Sequence, residues 1–250
     1  MNLPARVSLI LAICAAVFVS AAVADTRILQ RVHVDAMNIM GQSQPARDDT
    51  VTIWMAKDRM AVQGGGTNMI LRLDLSQVYL LDHDEKSYSV LDLPIDFSKI
   101  LPADDPNAAQ FNQMLQMMAS TTTVTPTEEH RTIGPWETRR YNMETKNQFM
   151  TILGTLWAGK DAHVDMEMYR SLSESMLSLN PALKDAMTSM KKIEGVIILQ
   201  EQAITVMGQT TNTLTEILEI KEADAPGEAF RVPKDYSKKE FNPMEAMGRG

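Results

Sequence analysis

Apolar and polar side chains alternate most clearly over residues 69–94. Met69, Leu71, Leu73 and Leu75 fall on one face of an extended segment, and Arg72 and Asp74 fall on the other. A period of two is typical of a half-buried antiparallel strand. Two further short apolar runs follow, separated by the polar reversal at 83–86. The pattern predicts a three-stranded meander that sets the register of a larger sheet.

The same kind of alternation predicts strands on both sides of this meander. The predicted segments are 28–39, 50–56, 59–63, 121–127, 136–144, 150–157, 196–206 and 209–222. Helical spacing of apolar residues instead predicts an early helix over 106–119 and a late helical pair between Asp165 and Gly195. We therefore predict one α+β domain, built on a large antiparallel sheet that curves and is covered on its concave face by the helices.

The first residues have the features of a secretory signal peptide. Arg6 supplies the positive charge, residues 7–19 form an apolar run, and small residues lead to Ala24. Cleavage after Ala24 would leave a periplasmic or secreted protein. No later stretch reaches the ~18 apolar residues of a membrane span, so we expect no transmembrane segment after cleavage.

The predicted organisation is a signal peptide at 1–24, one domain at 25–237 and a disordered polar tail at 238–250. The only cysteine, Cys14, lies inside the signal, and Ile13 stands where lipidation would require a small residue. The formal net charge of −8 makes the chain a poor match for nucleic acid, so we expect no nucleic-acid partner.

Catalytic and cofactor motifs are absent from the sequence. It contains no G-x-S-x-G, H-E-x-x-H or C-x-x-C, and the three glycines at 64–66 lack the lysine that completes a P-loop. The pattern Asp82-His83-Asp84 is more typical of a solvated turn than of a metal site. We expect a non-enzymatic protein with no cofactor and no metal ligands.

Nineteen methionines, several of them on the predicted helices, allow three interpretations. Methionine fills irregular gaps in a core, and it also forms adaptable apolar binding surfaces. In an oxidising compartment it can bind a soft metal such as Cu(I). Three short helices can cover only part of a sheet this large, and an apolar patch left open usually binds something.

The order of segments resembles a periplasmic family of unknown function placed near the LolA and LolB lipoprotein carriers. The residues that carry the resemblance are the strands beginning at Ile70 and Val78, then Tyr88, Gly134-x-Trp-x-Thr-Arg-Arg-Tyr141, Leu156-Trp157 and Phe230-x-Val-Pro233-x-x-Tyr236. The resemblance implies an unclosed β-barrel whose helices plug a hydrophobic cavity, which in the carriers receives acyl chains. It identifies no functional residue in this chain.

Our hypothesis is a protein that binds a hydrophobic ligand, a lipid or a lipidated partner, in a cavity between the curved sheet and the Met-rich helices. The residues predicted to line this cavity are Trp54, Trp157, Met166, Tyr169, Leu172, Met176, Met187 and Met190. The alternative is a structural or interaction module of the cell envelope with a filled core. Copper binding is the third hypothesis.

Overall fold

The computed structural model describes residues 25–39, 42–64, 68–94, 108–110, 113, 119–162, 164–167, 169–171, 174, 184–206 and 208–242. The predicted signal peptide at 1–24 lies outside these residues. So do Leu172 and Met176, and most of the predicted early helix.

Most of the described residues form β-strands. They are β1 (Thr26–Val34), β2 (Met37–Ile39), β3 (Gln42–Gln44), β4 (Arg47–Ala56), β5 (Arg59–Gln63), β6 (Met69–Arg72), β7 (Gln77–Asp82), β8 (Ser87–Asp92), β9 (Thr121–Ile133), β10 (Trp136–Lys146), β11 (Met150–Gly159), β12 (Val196–Val206), β13 (Gln209–Glu222) and β14 (Ser237–Lys238). A 3₁₀ helix spans Leu73–Leu75 and an α-helix spans Lys184–Met190. Helical residues also occur at 108–110, 113, 166–167, 169–171 and 174.

Twelve strands form one sheet in the order β14-β8-β7-β6-β5-β4-β1-β13-β12-β11-β10-β9. Strands β4 to β8 and strands β9 to β13 are two meanders, and β1 joins them by pairing with β4 on one side and β13 on the other. All pairs are antiparallel except β14 with β8. The predicted large, curved, unclosed antiparallel sheet is confirmed.

Strand register separates the side chains into two faces. Met55 lies opposite Met60, and Met60 lies opposite Leu71, so these three side chains share one face. We call it the Met55 face. Trp54 and Ala61 are also cross-strand partners, and each is one position away from Met55 or Met60 along its strand. They therefore lie on the opposite face, which we call the Trp54 face. Because the side-chain period in a strand is two, the register assigns every paired residue to one face or the other.

The Met55 face carries two clusters of buried apolar side chains. The first includes Met55, Leu71, Val78 and Ala162, and Val164, Met166 and Tyr169 pack against it. The second includes Tyr141 and Leu156 and receives Met190 from the helix Lys184–Met190. Each fully buried large apolar side chain stabilises the fold by roughly 1.5–3 kcal/mol in transfer terms, so this face holds most of the core.

The Trp54 face is covered over one meander by the segment that follows β13. Ala229 and Phe230 pack against Trp54 and its neighbours in a third apolar cluster. The guanidinium of Arg59 lies 5.2 Å from the centre of the Phe230 ring, a cation–π distance. The strands that this segment covers are β4 to β7.

Several predicted boundaries differ from the structure, among them the predicted strand 28–39, which is divided into β1 and β2, and two of the differences have a clear physical cause. The apolar alternation that begins at Met69 continues to Leu75, yet β6 ends at Arg72 because Leu73–Leu75 form a 3₁₀ turn. The backbone N–H of Leu73 donates to Asp58 instead of continuing the ladder. Contacts with the sheet also continue past 237, the predicted end of the domain, because Lys238 pairs in β14 and Phe241 packs against the first cluster.

Edge strand β9 has several of its backbone groups occupied. Ser189 donates from its hydroxyl to the Thr122 carbonyl at 2.6 Å, and the Lys192 ammonium lies 3.5 Å from the Val124 carbonyl. Pro126 and an irregularity in the pairing of β9 with β10 follow. Occupied carbonyls, proline and bulges all prevent a further strand from adding to an edge.

Candidate functional site

A trough of about 890 Å³ lies on the Trp54 face, over the second meander and β1. Two rows of cross-strand neighbours form most of its surface. One row is Thr125, Asn142, Thr155, Glu201, Leu214 and His33. The other is Thr123, Glu144, Leu153, Ala203 and Asn212, and Asp35 extends it beyond the end of β1.

The trough runs across the strands. The first row takes one residue from each of six neighbouring strands, β9 to β13 and β1, and the second takes one from each of β9 to β13 and then Asp35. Neighbouring strands lie about 4.8 Å apart, which gives a length of about 24 Å, and the two rows are about 7 Å apart along each strand. These dimensions fit an elongated ligand that contacts side chains, not a peptide that adds a strand.

Larger side chains border the trough on one side. The adjacent row on the same face is Arg140, Trp157, Leu199, Glu216 and Arg31. Within it, Arg31 donates to Glu216 at 2.7 Å. The Arg131 guanidinium lies 3.9 Å from the centre of the Trp157 ring, which buries that ring. This row of long and aromatic side chains stands beside two rows that contain Thr, Asn and Ala among larger residues.

Apolar surface is concentrated in the middle of the trough. The Leu153 side chain is 53% exposed, and its cross-strand partner is Ala203. Leu214 lies in the other row beside Glu201. At Gly154, a Cβ would approach the end of the Met143 side chain to 3.0 Å, so the glycine leaves room for that side chain on the neighbouring strand.

The acidic groups of the trough differ in their partners. Glu144 pairs with Lys146 on the same strand at 2.6 Å. Asp35 accepts hydrogen bonds from the Asn212 amide at 2.8 Å and from the His33 ring at 3.1 Å. The Asn212 hydrogen bond is the largest cause that lowers the pKa of Asp35, and the His33 hydrogen bond is the next.

His33 lies at one end of the trough between two carboxylates. Its Nδ1 is 2.9 Å from Asp48, and its Nε2 is 3.1 Å from Asp35. These hydrogen bonds, that to Asp48 first, raise the pKa of His33 above its ordinary value. A ring held between two carboxylates donates from both nitrogens only when it is protonated, so this end favours the imidazolium form.

Comparison with known families gives one match. A family described as a domain of unknown function, DUF4412, matches residues 37–236. The chain belongs to the DUF4412 family. No curated protein matches it. The DUF4412 region contains β2 to β13 and so five of the six strands of the trough, whereas β1, with His33, precedes it.

The predicted lining residues of this DUF4412 protein whose side chains are described are divided between the two faces of the sheet. Trp54 lies in the third cluster, and Trp157 lies in the row that borders the trough, so both are on the Trp54 face. Met166 and Tyr169 pack against the first cluster, and Met190 packs against the second, on the Met55 face. Because the sheet separates the two groups, a single pocket cannot be lined by both.

The other predicted lining residues cannot be assigned to a surface. Leu172 and Met176 lie outside the described residues. Met187 belongs to the helix Lys184–Met190, and its side chain lies outside the described part. None of the five predicted residues whose side chains are described lines the trough.

Sequence reasoning missed the residues that do line the trough. Leu153, Glu201 and His33 were each assigned to a predicted strand, but nothing in one sequence aligns three distant strands side by side. The available signal was the run of small polar residues in 121–127 and again in 209–215, which is unusual for long strands in the middle of a chain. Such runs leave one face of a sheet without bulky cover.

Two features of the described residues bear on other functions of this DUF4412 chain. No group of three or more His, Cys, Asp or Glu side chains is placed to hold a metal ion within the described part. No helix there has the length and apolar character needed to cross a membrane.

Proposed function

We propose that this protein is a non-enzymatic binding protein of the cell envelope that holds an elongated ligand in the trough. The observation that carries the proposal is an open trough with a half-exposed leucine, Leu153, near its centre. Its volume of about 890 Å³ lies within the usual range of ligand sites, roughly 300–1,000 Å³.

The exposed leucine supports an apolar component in the ligand. Fully burying a leucine gains roughly 1.5–3 kcal/mol, and Leu153 at 53% exposure leaves about half of that gain unused in the free protein. Leu214 and Ala203 lie next to it in the two rows. A ligand that covers these three side chains would recover this free energy.

The cellular setting and ligand class rest on the sequence. The predicted signal peptide supports a periplasmic or secreted location, and the resemblance to the LolA and LolB carriers supports a lipid or lipidated ligand. The proposed position of that ligand differs from the sequence-based hypothesis. We place it in the trough on the Trp54 face, and not between the sheet and the helical segments that contain Met166 and Met190.

Blocking the trough tests the proposal. Ala203→Trp places an indole in the middle of the second row, and Ala119→Trp adds the same side chain at an exposed position outside the trough. Native mass spectrometry of protein purified from its host without detergent, and uptake of fluorescent twelve-carbon ligands, would be compared among the three proteins. We expect Ala203→Trp to lose bound ligand at least tenfold and Ala119→Trp to match wild type.

Two results would contradict the proposal. One is a wild-type protein that carries no ligand and takes up none. The other is Ala203→Trp binding as tightly as wild type while circular dichroism shows that both are folded. In either case the trough is not the binding site.

A second candidate is an envelope interaction module with a filled core. It is favoured by Met166 and Tyr169, which pack against the first apolar cluster and thereby cover part of the Met55 face. This candidate predicts that neither tryptophan variant changes any small-ligand binding. Its protein partner would be sought by crosslinking in the host cell envelope.

A further inference from the structure

We infer that the ligand held in the trough carries a cationic group next to its apolar part, and that Glu201 binds that group. This inference rests on the proposed function, because it specifies the ligand of the same site. Glu201 lies in the first row, between Thr155 on β11 and Leu214 on β13. Its position is therefore beside the apolar centre formed by Leu153 and Ala203.

Glu201 differs from the other carboxylates of the trough in lacking a partner. No hydrogen bond or ion pair joins its side chain to another group within the described residues, and the side chain is exposed. Glu144 has Lys146 as its partner, and Asp35 has both His33 and Asn212.

Basic side chains near the trough are already engaged. The residues that line it include three carboxylates and one histidine, with no lysine or arginine among them. In the bordering row, Arg31 is bound to Glu216 at 2.7 Å and Arg140 to Glu129 at 2.8 Å. His33 is held between two carboxylates. The trough therefore has negative charge that no described neighbour neutralises.

This charge discriminates among apolar ligands. A fatty acid would bring its carboxylate beside the uncompensated Glu201 carboxylate, and like charges repel most strongly where water is partly excluded. A ligand with an ammonium group would instead form a charge-assisted hydrogen bond with Glu201. The chemistry that fits is an elongated apolar chain bearing an ammonium group, which could come from a lipid-like amine or from a lysine-containing apolar peptide.

The test uses three twelve-carbon probes that differ only in the head group. Isothermal titration calorimetry would measure dodecylammonium, dodecanol and dodecanoate, all below micelle-forming concentration, against the full wild-type protein. We expect dodecylammonium to bind at least fivefold more tightly than dodecanol, and dodecanoate to bind most weakly. Raising the salt from 50 to 200 mM should reduce the preference for dodecylammonium over dodecanol, because the pair of the ammonium group and the Glu201 carboxylate is partly exposed to solvent.

Two variants locate the effect. Glu201→Gln keeps the size of the side chain and removes its charge, and we expect about a fivefold loss for dodecylammonium with little change for dodecanol. Glu228→Gln removes an exposed carboxylate outside the trough and should leave all three affinities unchanged. A heptapeptide of apolar residues with one terminal lysine would be measured as well. Whether the peptide or dodecylammonium binds more tightly distinguishes a peptide from a lipid-like source of the ammonium group.

The possible outcomes separate the two proposals. If all three probes bind equally well, or dodecanoate binds best, the inference about charge is wrong and the trough remains a ligand site. If Glu201→Gln does not weaken dodecylammonium binding, Glu201 is not the residue that recognises the cation. If no probe binds to wild type, the proposed function itself is contradicted.

Discussion

Two leucines three positions apart on β11 allow a direct test of whether the trough is open. Leu156 is fully buried in the second cluster on the Met55 face, and Leu153 is 53% exposed in the trough on the Trp54 face. Truncating a buried leucine to alanine costs about 2–5 kcal/mol, because the lost transfer free energy is increased by the cavity left behind. We expect Leu156→Ala to fall in this range.

The expected cost at Leu153 is much smaller. Alanine removes three carbon atoms worth about 0.8 kcal/mol each when buried, and exposure of 53% leaves roughly half of that, about 1 kcal/mol. No buried cavity forms, because the side chain already faces solvent. The two substitutions should therefore differ by about 1–4 kcal/mol in the free energy of unfolding.

Urea denaturation followed by circular dichroism would measure both values. The comparison is valid if the dependence on urea is the same for the two variants and wild type, so that only the midpoints differ. If Leu153→Ala destabilises the protein as much as Leu156→Ala, another part of the chain fills the trough in the free protein. The binding proposal would then lose its site.

Three further predictions concern single positions. Gly195→Ala should lower the free energy of unfolding by more than about 3 kcal/mol, because its φ is +101° and a Cβ there would collide with the Gly159 carbonyl. Gly208→Ala, where φ is +82° and a Cβ would meet open space, should lower it by only about 1–2 kcal/mol. Thermal unfolding would measure both. The NMR titration midpoint of His33 should lie above its ordinary value and fall in Asp48→Asn. Because this pKa is raised, the stabilisation from His33 is present at low pH and is lost as the pH rises through that midpoint. Ser189→Ala should lower the free energy of unfolding by about 1 kcal/mol and speed amide hydrogen exchange in the edge strand β9. An unchanged exchange rate would show that Ser189 does not protect this strand.

Much of the sheet could be predicted from alternation alone. The predicted strands at 59–63, 196–206 and 209–222 match β5, β12 and β13, and the reversal between the last two lies at Gly208. Alternation failed at Leu73, where the pattern continues but the backbone turns. A local pattern reports which side chains can be buried together, and it does not report where backbone hydrogen bonds end.

The candidate site was not predictable in the same way. Leu214 and His33 are cross-strand partners although they lie far apart in sequence, and Leu153 reaches the same trough from a third strand. The methionines led to a predicted site beside the helices, because flexible apolar residues are typical of binding surfaces. Threonine is the most frequent residue type among those that line the trough, and it carries no signature of ligand binding. Its shape comes from the alignment of strands and from large neighbours such as Trp157.

The position of β1 has a consequence for how the molecule assembles. This strand is among the first residues of the domain to be synthesised, yet it needs β13, one of the last, on one side. Until β13 is synthesised, no hydrogen-bonded ladder joins the two meanders, and the edge of β1 that pairs with β13 is exposed. Contacts so distant in sequence make folding slow, since a long loop must close before they form. A nascent chain would therefore complete its sheet only when nearly its whole length is free.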